Sequence, residues 1–149
     1  MSRYLIDTNV LLRSAVNTAA RNPVAAGAIA ILLTRDDELF LAPQVLMEFW
    51  SVATRPAAVN GFGWPVGTVR SEVERLLDQF PLLPETPAVF GEWLRLVTEH
   101  NVIGKQAHDA RLVAILSTHQ VARLLTFNTA DFRVFGAIAI SPDEVMADR

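Results

Sequence analysis

Residues 4–12 read YLIDTNVLL. Tyr4 to Ile6 has the composition of a short buried strand, and it runs directly into an acid, Asp7. From Thr8 to Ser14 the apolar residues Val10, Leu11 and Leu12 suit a helix whose start lies at Thr8 or Asn9. A strand, an acidic turn and a helix follow one another within eleven residues, Tyr4 to Ser14.

The rest of the chain repeats this alternation. Pro23 fits the first turn of a helix reaching about Arg35, and Leu39 to Ala42 reads as a second strand. Pro43 opens a third helix, which Pro56 stops. Ala57 to Pro65 carries the Asn-Gly, Gly and Pro content of an irregular loop. Helices are predicted over Val66 to Phe80, over Pro87 to His100 with Thr86 as cap, and over Ala107 to Thr118. Leu82-Leu83, Arg123 to Thr126 and Ala137 to Ile140 read as strands, and Pro142 as the start of a last helical turn. Short apolar strands separated by helices predict an α/β fold with a parallel sheet covered on both faces. With no repeat and no linker-like tract, residues 1–149 are expected to form a single domain.

Composition narrows the function classes. Hydrophobic residues make up 51% of 149, which supplies a core and excludes a disordered chain. There is no cysteine, which excludes disulfides and thiolate metal sites and allows a cytoplasmic location. No signal-peptide pattern and no stretch long enough to span a bilayer is visible. The net charge of -3 argues against nonspecific coating of nucleic acid. Basic character is almost all arginine, Lys105 being the sole lysine, and arginine forks suit phosphates.

Four acids border or interrupt apolar runs: Asp7, Glu48, Asp109 and Asp131. An unpaired carboxylate is costly to bury, so each needs a reason. Asp7 reads equally as a helix cap and as a functional group. Asp109 lies in a first helical turn, where the helix dipole favours negative charge. Asp131 suits a turn in Asn-Thr-Ala-Asp. Glu48 sits in the middle of VLMEFWSVA, residues 45–53, where no cap explains it. An exposed helix edge shared with Gln44 and Ser51 would. His108 reads as a polar packing residue, and the tryptophans as packing groups, with Trp64 in its loop left open for stacking. No nucleophile elbow, glycine-rich phosphate loop or zinc-spaced histidine pair is present. An all-oxygen carboxylate cluster remains, and it suits hard cations such as Mg²⁺ or Mn²⁺.

Taken together, YLIDTNVLL, VLMEFWSVATR, GKQAHDARLVAI and LLTFNTADF, in this order, resemble the PIN domain. More narrowly they resemble the VapC toxins of bacterial toxin–antitoxin systems, over a match running from Tyr4 to Ile140. The resemblance implies a three-layer α/β/α sandwich with a mainly parallel sheet. It also implies an endoribonuclease that depends on Mg²⁺, with Mn²⁺ able to substitute. The family's acids fall on Asp7, Glu48 and Asp109. The fourth falls on Asp131, with Asn128 as the rival position and hydrogen-bonding neighbour. Thr8 and Thr126 match hydroxyls that orient acids or water, and Asn9 completes the Asp-Thr-Asn motif. Arg13, Arg55, Lys105 and Arg111 lie near the motifs as candidate phosphate contacts.

The implied chemistry is hydrolysis of an RNA phosphodiester by water activated at the metal, leaving 5′-phosphate and 3′-hydroxyl ends. The implied partners are RNA, a cognate antitoxin and a second copy of the chain, with no membrane. Three other readings stay open: a PIN-like nuclease acting on DNA or in RNA processing, a non-catalytic acidic binding module, and a phosphoacceptor domain. Asn9 stands where phosphotransferases of the last kind commonly carry a second Asp.

Overall fold

The computed structural model describes residues 1–15 and 22–148. Its strands are β1 (Arg3–Ile6), β2 (Glu38–Phe40), β3 (Arg123–Leu125) and β4 (Ala139–Ile140). They form one sheet in the order β2-β1-β3-β4, and every neighbouring pair is parallel. The helices are α1 (Thr8–Ser14), α2 (Pro23–Thr34), α3 (Pro43–Thr54), α4 (Val66–Gln79), α5 (Pro87–Glu99), α6 (Gln106–Thr118) and α7 (Pro142–Ala147). Short 3₁₀ segments lie at Ala57–Val59 and Thr129–Phe135. The result is the α/β sandwich that the alternation of strands and helices predicts.

Leu5 and Ile6 of β1 and Leu124 and Leu125 of β3 are fully buried, as central parallel strands covered on both faces require. Val10 and Leu11 of α1, Val45 and Phe49 of α3, and Leu112 to Leu116 of α6 complete the same core. In α3 the buried residues are Val45, Phe49 and Ala53, a stripe spaced by one helical turn. Glu48 falls beside that stripe and is exposed. Its segment reads as core only because the flanking positions are apolar too.

Some expectations needed adjustment. Leu82-Leu83 forms no strand: a single parallel bridge joins Leu82 to Leu41. Pro81 and Pro84 flank it, and prolines lack the N–H that a ladder would continue with. The strand expected at Leu39 to Ala42 is Glu38–Phe40, and β4 is only Ala139–Ile140. Thr86 stands at the N-cap of α5, but its side chain accepts no capping bond.

The loop after α3 is more ordered than its composition suggests. Phe62, Gly63 and Trp64 donate their backbone N–H groups to the carbonyls of Val52, Arg55 and Ala53, at 3.1, 2.8 and 2.9 Å. The last turn of α3 thus finds donors for carbonyls that a helix end leaves free. Trp64 packs against the core beside Phe62, with ring centroids 5.1 Å apart. This docking needs close backbone approach at Gly61, where a Cβ would lie 1.9 Å from the Arg55 carbonyl oxygen.

Gly61→Ala is therefore expected to lower the melting temperature clearly. Gly91→Ala, within α5 and with open space around its Cβ position, is expected to stabilise by about 1 kcal/mol through helix propensity. Thermal melts of the two variants beside the parent chain check both signs.

Candidate functional site

In a parallel sheet, the crevice where the winding reverses opens beyond the carboxyl ends of the strands. Here the chain passes from β1 to β2 on one side and returns to β3 on the other, so that crevice lies between β1 and β3. Asp7 follows β1, and Thr126 to Asn128 follow β3.

Asp7 is buried and surrounded by donors. Its Oδ1 accepts from the Thr8 N–H at 2.8 Å. Its Oδ2 accepts from Thr126 Oγ1 at 2.9 Å and Asn9 Nδ2 at 3.3 Å. Thr126 Oγ1 in turn accepts from Asn9 Nδ2 at 3.0 Å and from the Asn128 N–H at 3.1 Å. A hydroxyl has one proton and two lone pairs, so Thr126 is saturated and must donate to Asp7. The Asn9 carbonyl oxygen accepts from the Phe127 N–H at 3.0 Å and ties the α1 turn to the end of β3. One carboxylate oxygen of Asp7 therefore caps α1, and the other is held by side chains of two different segments.

A cavity of about 400 Å³ opens here, with Asp7, Glu48, Asp109 and Asn128 in its wall. Glu48 comes from α3 and Asp109 from the first turn of α6, so three separate segments deliver the acids. Thr8 Oγ1 lies 3.0 Å from Glu48 Oε2 and 3.1 Å from the Val45 carbonyl oxygen, and its single proton serves one at a time. Gly104, in a left-handed conformation at φ 64°, lies in the turn before α6, and its carbonyl accepts from the Ala107 N–H at 3.1 Å.

Electrostatics set this cavity apart. Burial pushes Asp7 up to about 6, against the hydrogen bonds from Thr126 and Thr8, and the charges of Glu48 and Asp109 add to the rise. Asp109 is also raised, first by burial, then by the charges of Asp131 and Glu48. His108 and Lys105 pull it the other way. Among the described residues none of Asp7, Glu48 and Asp109 forms a salt bridge. A cavity whose acids outnumber its one lining cation, Arg55, and whose acids offer only oxygen ligands suits a hard divalent cation. Among the described residues, no three His, Asp or Glu side chains already converge tightly enough to hold one. The acids share the cavity, and Glu48 is bonded instead to Thr8 and Gln44.

The other sequence-predicted residues sort by position. Asp131 is exposed on the 3₁₀ segment and does not line the cavity; Asn128 does. Asp131 reaches the site through its charge on Asp109. Of the four basic residues, only Arg55 lines the cavity. Its Nη2 donates to the Asn60 carbonyl at 3.1 Å, while its buried Nε has no acceptor among the described residues. Arg13 lies over the Phe127 ring at 4.4 Å, Lys105 is exposed, and Arg111 is paired with Glu85 and bonded to Gln44. In the sequence Gln44 stands only on the exposed edge that Glu48 and Ser51 share. Its spacing of four residues before Glu48 was the available signal of contact.

A model of the PIN domain family matches residues 4–138. The chain belongs to the PIN domain family. No curated protein matches it in sequence. The PIN fold aligns with VapBC2 from Rickettsia felis, solved bound to a fragment of promoter DNA, with a TM-score of 0.70 at 15% identity, covering 93% of this chain and 97% of that one. VapBC-1 from nontypeable Haemophilus influenzae gives 0.66 at 18% identity, covering 94% and 98%. A toxin–antitoxin complex from Klebsiella pneumoniae gives 0.64 at 19%, covering 93% and 97%. Identities this low establish a common fold. Among the described residues no helix of this PIN domain is long and apolar enough to cross a membrane.

The raised Asp7 fixes the sign of a pH effect. Without metal, folded Asp7 keeps its proton up to about 6, whereas the unfolded chain loses it near 3.8. Stability should therefore fall as pH rises from about 4 to about 6, by about 3 kcal/mol, and then level off. Asp7→Asn should remove most of that decline. Chelator-treated melts across pH 4 to 8 check the slope, which is unaffected by the acceptor that Asn also takes away.

Proposed function

We propose that this PIN domain is a Mg²⁺-dependent endoribonuclease, with Mn²⁺ able to substitute, and that it is the toxin of a toxin–antitoxin pair. The observation that carries the reading is that Asp7, Glu48 and Asp109, from three segments, line one cavity and that none of them forms a salt bridge among the described residues. Family membership supports nuclease chemistry at such a cavity. The fold shared with VapBC complexes supports a toxin role and an antitoxin partner.

Asp7, Glu48 and Asp109 would hold the cation, with Asp131 adding charge behind Asp109. When bound, a divalent cation acidifies water near neutral pH and offsets the negative charge of the phosphate. The residues do the rest. Thr8, Thr126 and Asn9 offer only donors to Asp7, which keeps Oδ2 an acceptor against the cost of burial. Asn9 and Asn128 brace Thr126, so the hydroxyl is fixed before substrate arrives. Arg55, at the cavity wall, grips a phosphate oxygen of the RNA through its guanidinium. Water attacks the phosphorus in line as the bond to the 3′ oxygen breaks. The proton given up by the water is balanced by the one taken by the leaving oxygen. No single acid is assigned as general base. A cytoplasmic setting, silencing by an antitoxin and pairing of two copies complete the proposal.

Chain freed of any copurifying partner, incubated with total cellular RNA and Mg²⁺ or Mn²⁺, is expected to make discrete cuts with 5′-phosphate ends. EDTA and Asp7→Asn should each abolish them. Equal cutting by wild type and variant would remove Asp7 from the site. Metal-dependent cutting of DNA alone would replace the RNA assignment, and Mn²⁺ binding without any cleavage would favour a binding module. Arg55→Ala is expected to raise KM for RNA while leaving Mn²⁺ affinity unchanged, as steady-state kinetics and Mn²⁺ titration can separate.

A further inference from the structure

Glu48 has a potential donor beside each oxygen. Thr8 Oγ1 reaches Oε2 at 3.0 Å, and Gln44 Nε2 reaches Oε1 at 3.3 Å. The orientation of the Gln44 amide follows from its other neighbour. Arg111 Nη1 lies 2.8 Å from Gln44 Oε1, and a guanidinium can only donate. The amide oxygen therefore faces Arg111, which leaves the NH₂ group to face Glu48. The second N–H of that group meets the His108 carbonyl oxygen at 3.2 Å. The other arm of Arg111 is paired with Glu85, in the loop before α5. That loop is fixed in turn by the His119 ring nitrogen, 2.9 Å from the Pro84 carbonyl oxygen. A continuous chain of contacts thus runs from Glu85 through Arg111 and Gln44 to Glu48, linking the loop, α6 and α3.

We propose that Gln44 and Arg111 are positioning residues for Glu48, acting on the cation site rather than on RNA. The inference rests on the proposed reading of the cavity as a cation site. The chemistry of the intermediary supports it. A guanidinium placed directly on Glu48 would fix the carboxylate and also neutralise it. A neutral amide between them transmits the geometry and leaves the negative charge for a cation. It also explains why Arg111, near the acids in sequence, does not line their cavity: its donors are committed to Gln44 and Glu85.

The test is Mn²⁺ titration of the full chain by calorimetry, paired with RNA binding measured in EDTA. Gln44→Ala and Arg111→Met are each expected to weaken Mn²⁺ binding about tenfold, as loss of an outer-shell partner does. Because both act through one chain of contacts, the double variant should lose little more than either single variant. RNA affinity in EDTA should be unchanged in all three. Wild-type Mn²⁺ affinity in either single variant would overturn the proposal. So would losses that add in the double variant, or an Arg111→Met variant that keeps Mn²⁺ but loses RNA, since that marks a phosphate contact. Gln44→Ala puts the best helix former on a helix flank, so it carries the test alone if Arg111→Met does not fold. Absence of Mn²⁺ binding in the wild type would overturn the reading of the cavity itself, and the positioning role with it.

Discussion

The hydrogen bond from Thr126 to Asp7 joins two chain segments 119 residues apart, and the cavity is arranged around it. Its direction is forced, because Thr126 already accepts from Asn9 and Asn128. Asp7 must then be an acceptor at the place where burial most disfavours its charge. The fold provides neutral donors there, enough to orient the carboxylate but too few to satisfy its charge. What remains is a negative cavity at the mouth of a parallel sheet.

Much of this was legible in the sequence. The β1–α1 segment could be read because apolar residues stop at an acid and resume with helical spacing. Glu48 could be singled out because no cap accounts for a carboxylate in mid-helix, and the exposed edge shared with Gln44 and Ser51 is where it lies. Lengths of strands were less legible: the outer strands of the sheet are set by which neighbours supply N–H groups, and the prolines around Leu82 withhold theirs. The direction of the Thr126 hydroxyl was not legible, since it depends on three partners from two segments.

Residue type pointed to Asp131 as the fourth acid, whereas position favours Asn128 at the cavity. The 3₁₀ segment explains the difference. Phe132 is buried and anchors it, which leaves the adjacent Asp131 on the outer side. A sequence shows that an acid is present. Whether that acid faces inward is decided by the neighbour that packs, over a turn too short for periodicity to reveal. Gln44 is the converse case, a residue of unremarkable type placed where its amide meets both an arginine and an acid.

The parallel topology also orders events in time. Synthesis proceeds from the amino end, so β1 and Asp7 leave the ribosome well before β3 and Thr126. Parallel partners cannot pair through a tight turn, and their pairing must wait for the intervening chain. Until β3 settles beside β1, Asp7 has only the donors of its own turn, and the cavity lacks the wall that Asn128 supplies. The nascent chain therefore passes most of its synthesis without the completed acidic cavity, which closes only when β3 and the Thr126 that follows it have been made.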